Sequence, residues 1–261
     1  MSSMPPLVVV VAGPNGAGKS TTAPLLLPGA LAVGEFVNAD TIAQGLSAFR
    51  PASVGLPAGR VMLARLRSLA RARATFAFET TLASRSFAPW LASIRASGYR
   101  VHIAFLSLPS AELALARVSE RVQLGGHDVA ENVVRRRFHA GLRNFFTLYE
   151  SVADSWRMFD NSHLSGPILI ASGRAEQPPE IVDAIACGKP CGGVEIMEVT
   201  DKASPVERIE DVPRILRAMT RAVREALVRH KQAANPVAVW RNGAVEWVKP
   251  EDIPTDCGES E

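Results

Sequence analysis

The densest hydrophobic run of the chain is LVVVVA at residues 7–12, apolar at every position. A strand with one wet face alternates apolar and polar residues. A strand without polar positions is covered on both faces, as in the middle of a parallel sheet. TFAFETTL (75–82) and YRVHIAFLSL (99–108) have the same character, EFVNAD (35–40) is a second candidate strand, and WRMFDN and PILIAS are two late ones. Between these runs the apolar spacing becomes helical. A helix is predicted from Lys19 to Leu27, stopped by Pro28-Gly29, and a short one over 41–48, with Thr41 and Gln44 as a capping box. Val61, Leu63, Leu66 and Leu69 mark helical spacing between Pro51 and Ala72. A helix over 86–97 ends at Gly98, Ser110 caps the next one, and a long helix covers 129–153. Strands alternating with helices predict an α/β fold: a doubly wound, mostly parallel sheet of five or six strands with helices on both faces. Such sheets bind ligands at the carboxyl ends of their strands.

Beyond about residue 178 the pattern changes. The irregular stretch CGKPCGG is followed by an amphipathic helix over 212–231, with Ile215, Leu216, Met219, Val223 and Leu227 on one face. PVAVWRNGAVEWV (236–248) reads as a hairpin turning at Asn242-Gly243, with Ala238, Trp240, Val245 and Trp247 on the face that packs inward. The expected organisation is a nucleotide-binding domain over 1–177 and a C-terminal appendage over 178–261.

Composition narrows the function classes. With 261 residues, 47% hydrophobic and 21% charged, the chain can bury one sizeable α/β core. Three cysteines argue against a disulfide scaffold and for a reducing cytoplasm. Cys187 and Cys191 lack a companion pair or a nearby histidine, which argues against zinc. No apolar stretch has the length of a membrane span, and the N-terminus lacks the basic start of a signal peptide. A net charge of +3 suits an anionic substrate and is too mild for nucleic acid.

The chemistry begins where the first strand ends. Gly13-Pro14-Asn15-Gly16-Ala17-Gly18-Lys19-Ser20, followed by Thr21, fits G-x-x-x-x-G-K-[ST] between a strand and a helix. Polyphosphate needs several backbone N–H groups converging on one concavity, which glycine permits, and the helix N-terminus adds its positive end. Lys19 is expected at the β- and γ-phosphates of ATP or GTP, and the Ser20 hydroxyl on Mg²⁺. The expected fold is therefore that of the P-loop NTPases.

Three further features point at the same edge. Asp40, in VNAD, can take a proton from a substrate hydroxyl, the general-base task in phosphoryl transfer; its rival role is helix capping, which the Thr41–Gln44 box relieves. Glu79 ends the third strand, where it can position the acceptor or a metal-bound water, with Thr80 and Thr81 adding hydroxyls; a structural ion pair is the rival. Residues 117–137, RVSERVQLGGHDVAENVVRRR, carry five arginines around a GGH turn, the arrangement of a closing lid. Arg117, Arg121 and Arg136 are the preferred phosphate contacts, ahead of Arg137, and a solvated basic face is the alternative.

Taken together, GPNGAGKST, VNAD, FETTL, the R-V-x-x-R-V-x-x-GGH-x-V stretch and WRMFDNS resemble the zeta toxin family of P-loop kinases, in particular its chromosomal branch of predicted ATPases. The resemblance spans roughly residues 5–173. Characterised toxins of the family phosphorylate the 3′-hydroxyl of the amino sugar in UDP-N-acetylglucosamine. The resemblance implies nucleotide binding at Gly13 to Ser20, Asp40 as base, Glu79 as substrate-positioning acid, and Arg121, which follows Glu120, as the phosphate-stabilising arginine. It also raises an antitoxin as partner. The chain departs from the toxins in its GGH lid, in the threonine after Glu79, and in everything after residue 178. The expected activity is a Mg²⁺-dependent kinase acting on a small hydroxyl compound such as a nucleotide sugar. The alternative is a nucleotide-hydrolysing switch that works through a protein bound at the C-terminal helix and hairpin. A polynucleotide kinase would need basic–aromatic interleaving, and only 6% of the chain is aromatic.

Overall fold

A computed structural model describes residues 4–48, 51–126, 128–175, 177–182 and 203–254. β1 (Leu7–Ala12) is buried along its whole length in a seven-stranded sheet. It pairs in parallel with β3 (Phe76–Thr80) on one side and β4 (Arg100–Ser107) on the other. β2 (Glu35–Val37) extends the sheet beyond β3, and β5 (Ser155–Asp160) beyond β4, both again parallel. The pleat of β1 sends alternate side chains to opposite faces. Leu7, Val9 and Val11 join one apolar cluster, and Val8, Val10 and Ala12 the other. Both faces are dry, so the run carries no polar residue.

The first cluster is covered by α1 (Lys19–Leu25) and α5 (Ala111–Gln123), through Ala23, Leu113 and Val118. The second is covered by α3 (Gly55–Arg71) and α4 (Phe87–Ala96), through Met62, Leu66, Leu91 and Ile94. The doubly wound architecture read from the strand and helix alternation is the observed one. α1 does not stop at Leu27: a wide π-helical turn, Leu26–Ala30, carries the chain past Pro28 and keeps Leu26, Leu27 and Ala30 buried. The long helix after the lid is likewise broken, into α6 (Glu131–Asn144), a π-helical turn (Phe145–Tyr149) and α7 (Glu150–Val152).

The sheet has seven strands where five or six were expected, and its far edge is antiparallel. β6 (Ile168–Arg174) runs against β5, since residues 161–167 are too few for a crossover of a dozen or so residues. β7 (Glu180–Ile181), too short to register in the hydrophobic pattern, adds to β6.

After α8 (Pro205–Arg208) comes α9 (Val212–Gln232), then the hairpin of β8 (Val237–Arg241) and β9 (Ala244–Val248). Asn242 and Gly243 both have positive φ, as the tight hairpin turn requires. Ile209, Ile215, Met219 and Ala238 belong to the same apolar cluster as Val9, with Trp240 and Val245 against it, while Trp247 stays 45% exposed. The segment therefore shares the main core of the sheet. Buried Arg157 on β5 reinforces the joint, donating to the Ile209 carbonyl and, at 3.1 Å, to Glu210. Cys187, Cys191 and His127 lie outside the described residues. Among the described residues no helix is long and apolar enough to cross a membrane.

Candidate active site

The loop from Gly13 to Gly18 leaves β1 at its carboxyl end and feeds α1, whose N-cap is Gly18 in the left-handed region (φ 82°). Side chains rarely adopt that backbone, and a Cβ on Gly18 would lie 2.6 Å from Asn161 Nδ2. Glycine is thus demanded by packing as well as by phosphate geometry. Lys19 is buried; its Nζ donates to the Pro14 carbonyl at 2.8 Å and lies 3.6 Å from Glu79 Oε1. Burial lowers its pKa, the charges of Glu79 and Asp40 work against that, and Arg121 adds to it. Lys19 therefore feels both acids and Arg121, which places the four groups in one electrostatic neighbourhood.

Glu79 is the hub of this neighbourhood. Its Oε2 accepts from Ser20 Oγ at 2.9 Å and from Asn38 Nδ2 at 2.8 Å. The pairing of β3 with β1 sets this up by register, placing Glu79 beside Val11 and Thr80 beside Ala12. Asn38 is the N-cap of α2 (Ala39–Leu46), its Oδ1 accepting from the N–H groups of Asp40 (2.7 Å) and Thr41 (3.3 Å). The helix thus starts earlier than expected, and Asn38, not Thr41, caps it. Asp40 falls in the first turn with its carboxylate free of capping duty, lining the same cleft as the loop. The Thr80 and Thr81 hydroxyls accept from Leu82 N and Ala83 N, and both residues line the cleft.

The lid arginines separate. Arg121, on α5, lines the cleft near Lys19. Arg117 does not offer its guanidinium to the loop: it donates to the carbonyls of Asn161 (2.7 Å), Ala238 (3.2 Å) and Ser162 (3.4 Å). That is a scaffold role, and it replaces the phosphate contact expected of it. Arg136 is exposed and outside the cleft, whereas Arg137 lines it and feels the charge of Asp40. The helix register thus exchanges the two. Arg135 is paired with Glu112 and Glu131.

The cleft, of about 1080 Å³, extends well past these residues. β3 and β4 flank β1 on opposite sides, so the loop stands between two lobes. One holds Asp40, Glu79, Thr80 and Thr81 with Met62 and Leu63 of α3; the other is walled by α5, the residues just after β5, α9 and β8. Sequence reasoning missed the second lobe. Asn161 there donates to the Ala17 carbonyl at 2.9 Å, bracing the loop from below. Glu120 accepts from Ala238 N at 3.3 Å and sits 3.5 Å from His230 Nδ1. Burial pushes the Glu120 carboxyl up to about 7, against the pull of Arg117 and the Ala238 N–H. Burial also lowers the pKa of His230. The only local sign of this lobe was a polar DNS directly after a buried strand.

Mg²⁺ favours a few hard oxygen ligands supplemented by substrate phosphates. Ser20 Oγ and the Glu79 carboxylate, 2.9 Å apart beside the phosphate loop, fit such a half-site. Among the described residues no cluster of three or more His, Cys, Asp or Glu offers a closed metal cage.

The sequence model of the AAA domain family matches residues 8–148, from β1 through α6. The chain belongs to the AAA domain family. An uncharacterized protein of Haemophilus influenzae (strain Rd) is 29% identical over 126 residues, which is 48% of this chain and 88% of that one. Among solved structures, the AvrRxo1-ORF1:-ORF2 complex with ATP aligns with a TM-score of 0.56 at 16% identity, covering 85% of this AAA-domain chain and 77% of its counterpart. The PezAT chromosomal toxin-antitoxin system of Streptococcus pneumoniae aligns with a TM-score of 0.50 at 13% identity, covering 66% and 73%. At these identities the likeness is one of fold, and it is the P-loop kinase-like, nucleotide-binding fold expected from the resemblance to the zeta toxin kinases.

Proposed function

We propose that the protein is a Mg²⁺-dependent cytoplasmic kinase that moves the γ-phosphate of ATP or GTP onto a hydroxyl of a small molecule, with nucleotide sugars such as UDP-N-acetylglucosamine the first acceptors to test. The observation that carries this reading is the position of Asp40. Its carboxylate is free of the helix cap, shares the cleft with the phosphate loop, and lies close enough to influence Lys19.

In this reading Asp40 takes the acceptor's proton. The freed oxygen attacks the γ-phosphorus, and the bond to the bridging oxygen breaks with its electrons on the departing nucleoside diphosphate. Gly13 to Thr21 hold the phosphates, with buried Asn15 lining the cleft. Lys19, Arg121 and Arg137 meet the charge on the transferring group. Glu79, fixed by Asn38, positions the acceptor together with Thr80 and Thr81. Ser20 and Glu79 would hold Mg²⁺, which would supply charge neutralisation at the phosphates. The two solved structures compared above are two-protein systems, which supports a protein partner such as an antitoxin.

The test is a screen of nucleotide sugars and small alcohols with γ-labelled ATP, comparing wild type with Asp40→Ala. Losing a general base costs about 10²–10⁴-fold in transfer, while nucleotide affinity is expected to hold. Full transfer by Asp40→Ala would refute the mechanism, and turnover that no acceptor stimulates would favour the hydrolysing switch.

A further inference from the structure

We propose that the C-terminal segment, which lies outside the AAA-domain match, recognises the nucleobase of the donor nucleotide: a purine sits in the second lobe, against α9 and the start of β8. This rests on the kinase reading above and assigns the two lobes of its cleft.

The topology supplies the first argument. In phosphoryl transfer the attacking and leaving oxygens stand roughly in line on opposite sides of the moving group. Asp40 and Glu79 lie on the β3 side of the loop. An acceptor activated there pushes the leaving nucleotide toward the β4 side, where α5 and the residues after β5 meet α9 and β8.

The walls of that lobe supply the second. Leu164, Val223 and Leu227 form an apolar surface on which a flat ring can lie. Around it stand polar groups with capacity to spare. Asn161 is 4% exposed and anchored through Nδ2, yet its Oδ1 has no hydrogen-bond partner among the described residues. A buried acceptor left unsatisfied is costly unless something donates to it. His230 Nδ1 is also buried without a hydrogen bond, 3.5 Å from Glu120 Oε1. An amino group on a purine edge is the donor that Asn161 Oδ1 takes, and the apolar wall suits the ring faces. The lobe is also rigid, since Arg117 ties the residues after β5 to β8 through their carbonyls.

The experiment uses the wild-type protein with 8-azido-ATP and 8-azido-GTP, followed by peptide mapping, with unlabelled nucleotide as competitor. The expected result is competable label on residues 161–164 or 223–238. Label on residues 56–87, the wall of the acceptor lobe, would overturn the assignment while leaving nucleotide binding intact. No competable label at all would overturn nucleotide binding itself, and with it the kinase reading. A second arm compares ATP with inorganic tripolyphosphate on wild type and Ala226→Trp, which fills the lobe. ATP should weaken by about 10-fold or more while tripolyphosphate is unchanged. Equal changes in both ligands in a variant with a native thermal transition would count against the proposal, and Ala226→Leu repeats the test with a milder insertion.

Discussion

The carboxyl of Glu120 makes a quantitative demand on the stability of this fold. It is 6% exposed, and burial pushes its pKa up from 4.5 to about 7. A folded pKa above the unfolded one means that the native state holds the proton more tightly. The stability so contributed is complete below pH 4.5 and is lost as the pH climbs through the folded value. At about 1.4 kcal/mol per tenfold change in proton affinity, the full span is about 3 kcal/mol, of which about 2–3 kcal/mol falls between pH 5 and pH 8. Glu120→Gln keeps the shape and the acceptor for Ala238 N–H but removes the titration. Urea unfolding of both proteins across that range should show wild type losing about 2–3 kcal/mol against the variant as the pH rises. His230 works in the opposite sense: its pKa is lowered, so the cost of charging it is present at low pH and is relieved as the pH rises toward 6.5. It sits 3.5 Å from Glu120, so the difference between the two proteins reports the pair, with the Glu120 contribution, opposite in sign, setting the direction. Curves that stay parallel from pH 5 to pH 8 would show that the carboxyl ionises as readily inside the fold as outside, and the argument from burial would fall.

Two further substitutions separate register from chemistry. Arg137→Ala should lower phosphoryl transfer by about 10-fold or more, the loss expected when a preorganised charge is removed, whereas Arg136→Ala, at an exposed position, should leave the rate within a factor of two; the reverse ranking in a steady-state assay would restore the register expected from sequence. Asn38→Ala removes a cap and one donor to Glu79, so it should cost about 1–2 kcal/mol and lower the melting temperature by about 2–4 °C for each kcal/mol, readable by calorimetry; an unchanged transition would mean that α2 does not depend on this cap.

How much was legible in the chain follows from the range of each interaction. The valines of β1 announce a strand dry on both faces because burial acts on every position alike. The glycine loop is readable because its backbone geometry is local. Glu79 lies at the end of β3 and Asp40 in the helical turn just past β2, and strand ends are visible in the hydrophobic pattern. The cap was misplaced because VNADT offers Asn38 as well as Thr41, and the choice between them is settled by Glu79, far along the chain. Arg136 and Arg137 were exchanged because one step in helix register decides which faces the cleft, and a run of three arginines gives no periodic contrast. Glu120 and His230 meet across the whole lid and the C-terminal helix, a distance at which no local pattern speaks. The antiparallel turn of β6 is legible as well, because residues 161–167 are too few for a parallel crossover.

Because Ile215 and Met219 complete the apolar layer over β1 and α1, the sheet cannot be sealed while α9 is still unmade. On the ribosome, where chains emerge at about 5–20 residues per second, the nascent nucleotide-binding half waits with an uncovered oily flank until the last helix arrives. A message that stops short of that helix would yield a sticky fragment and no smaller working protein.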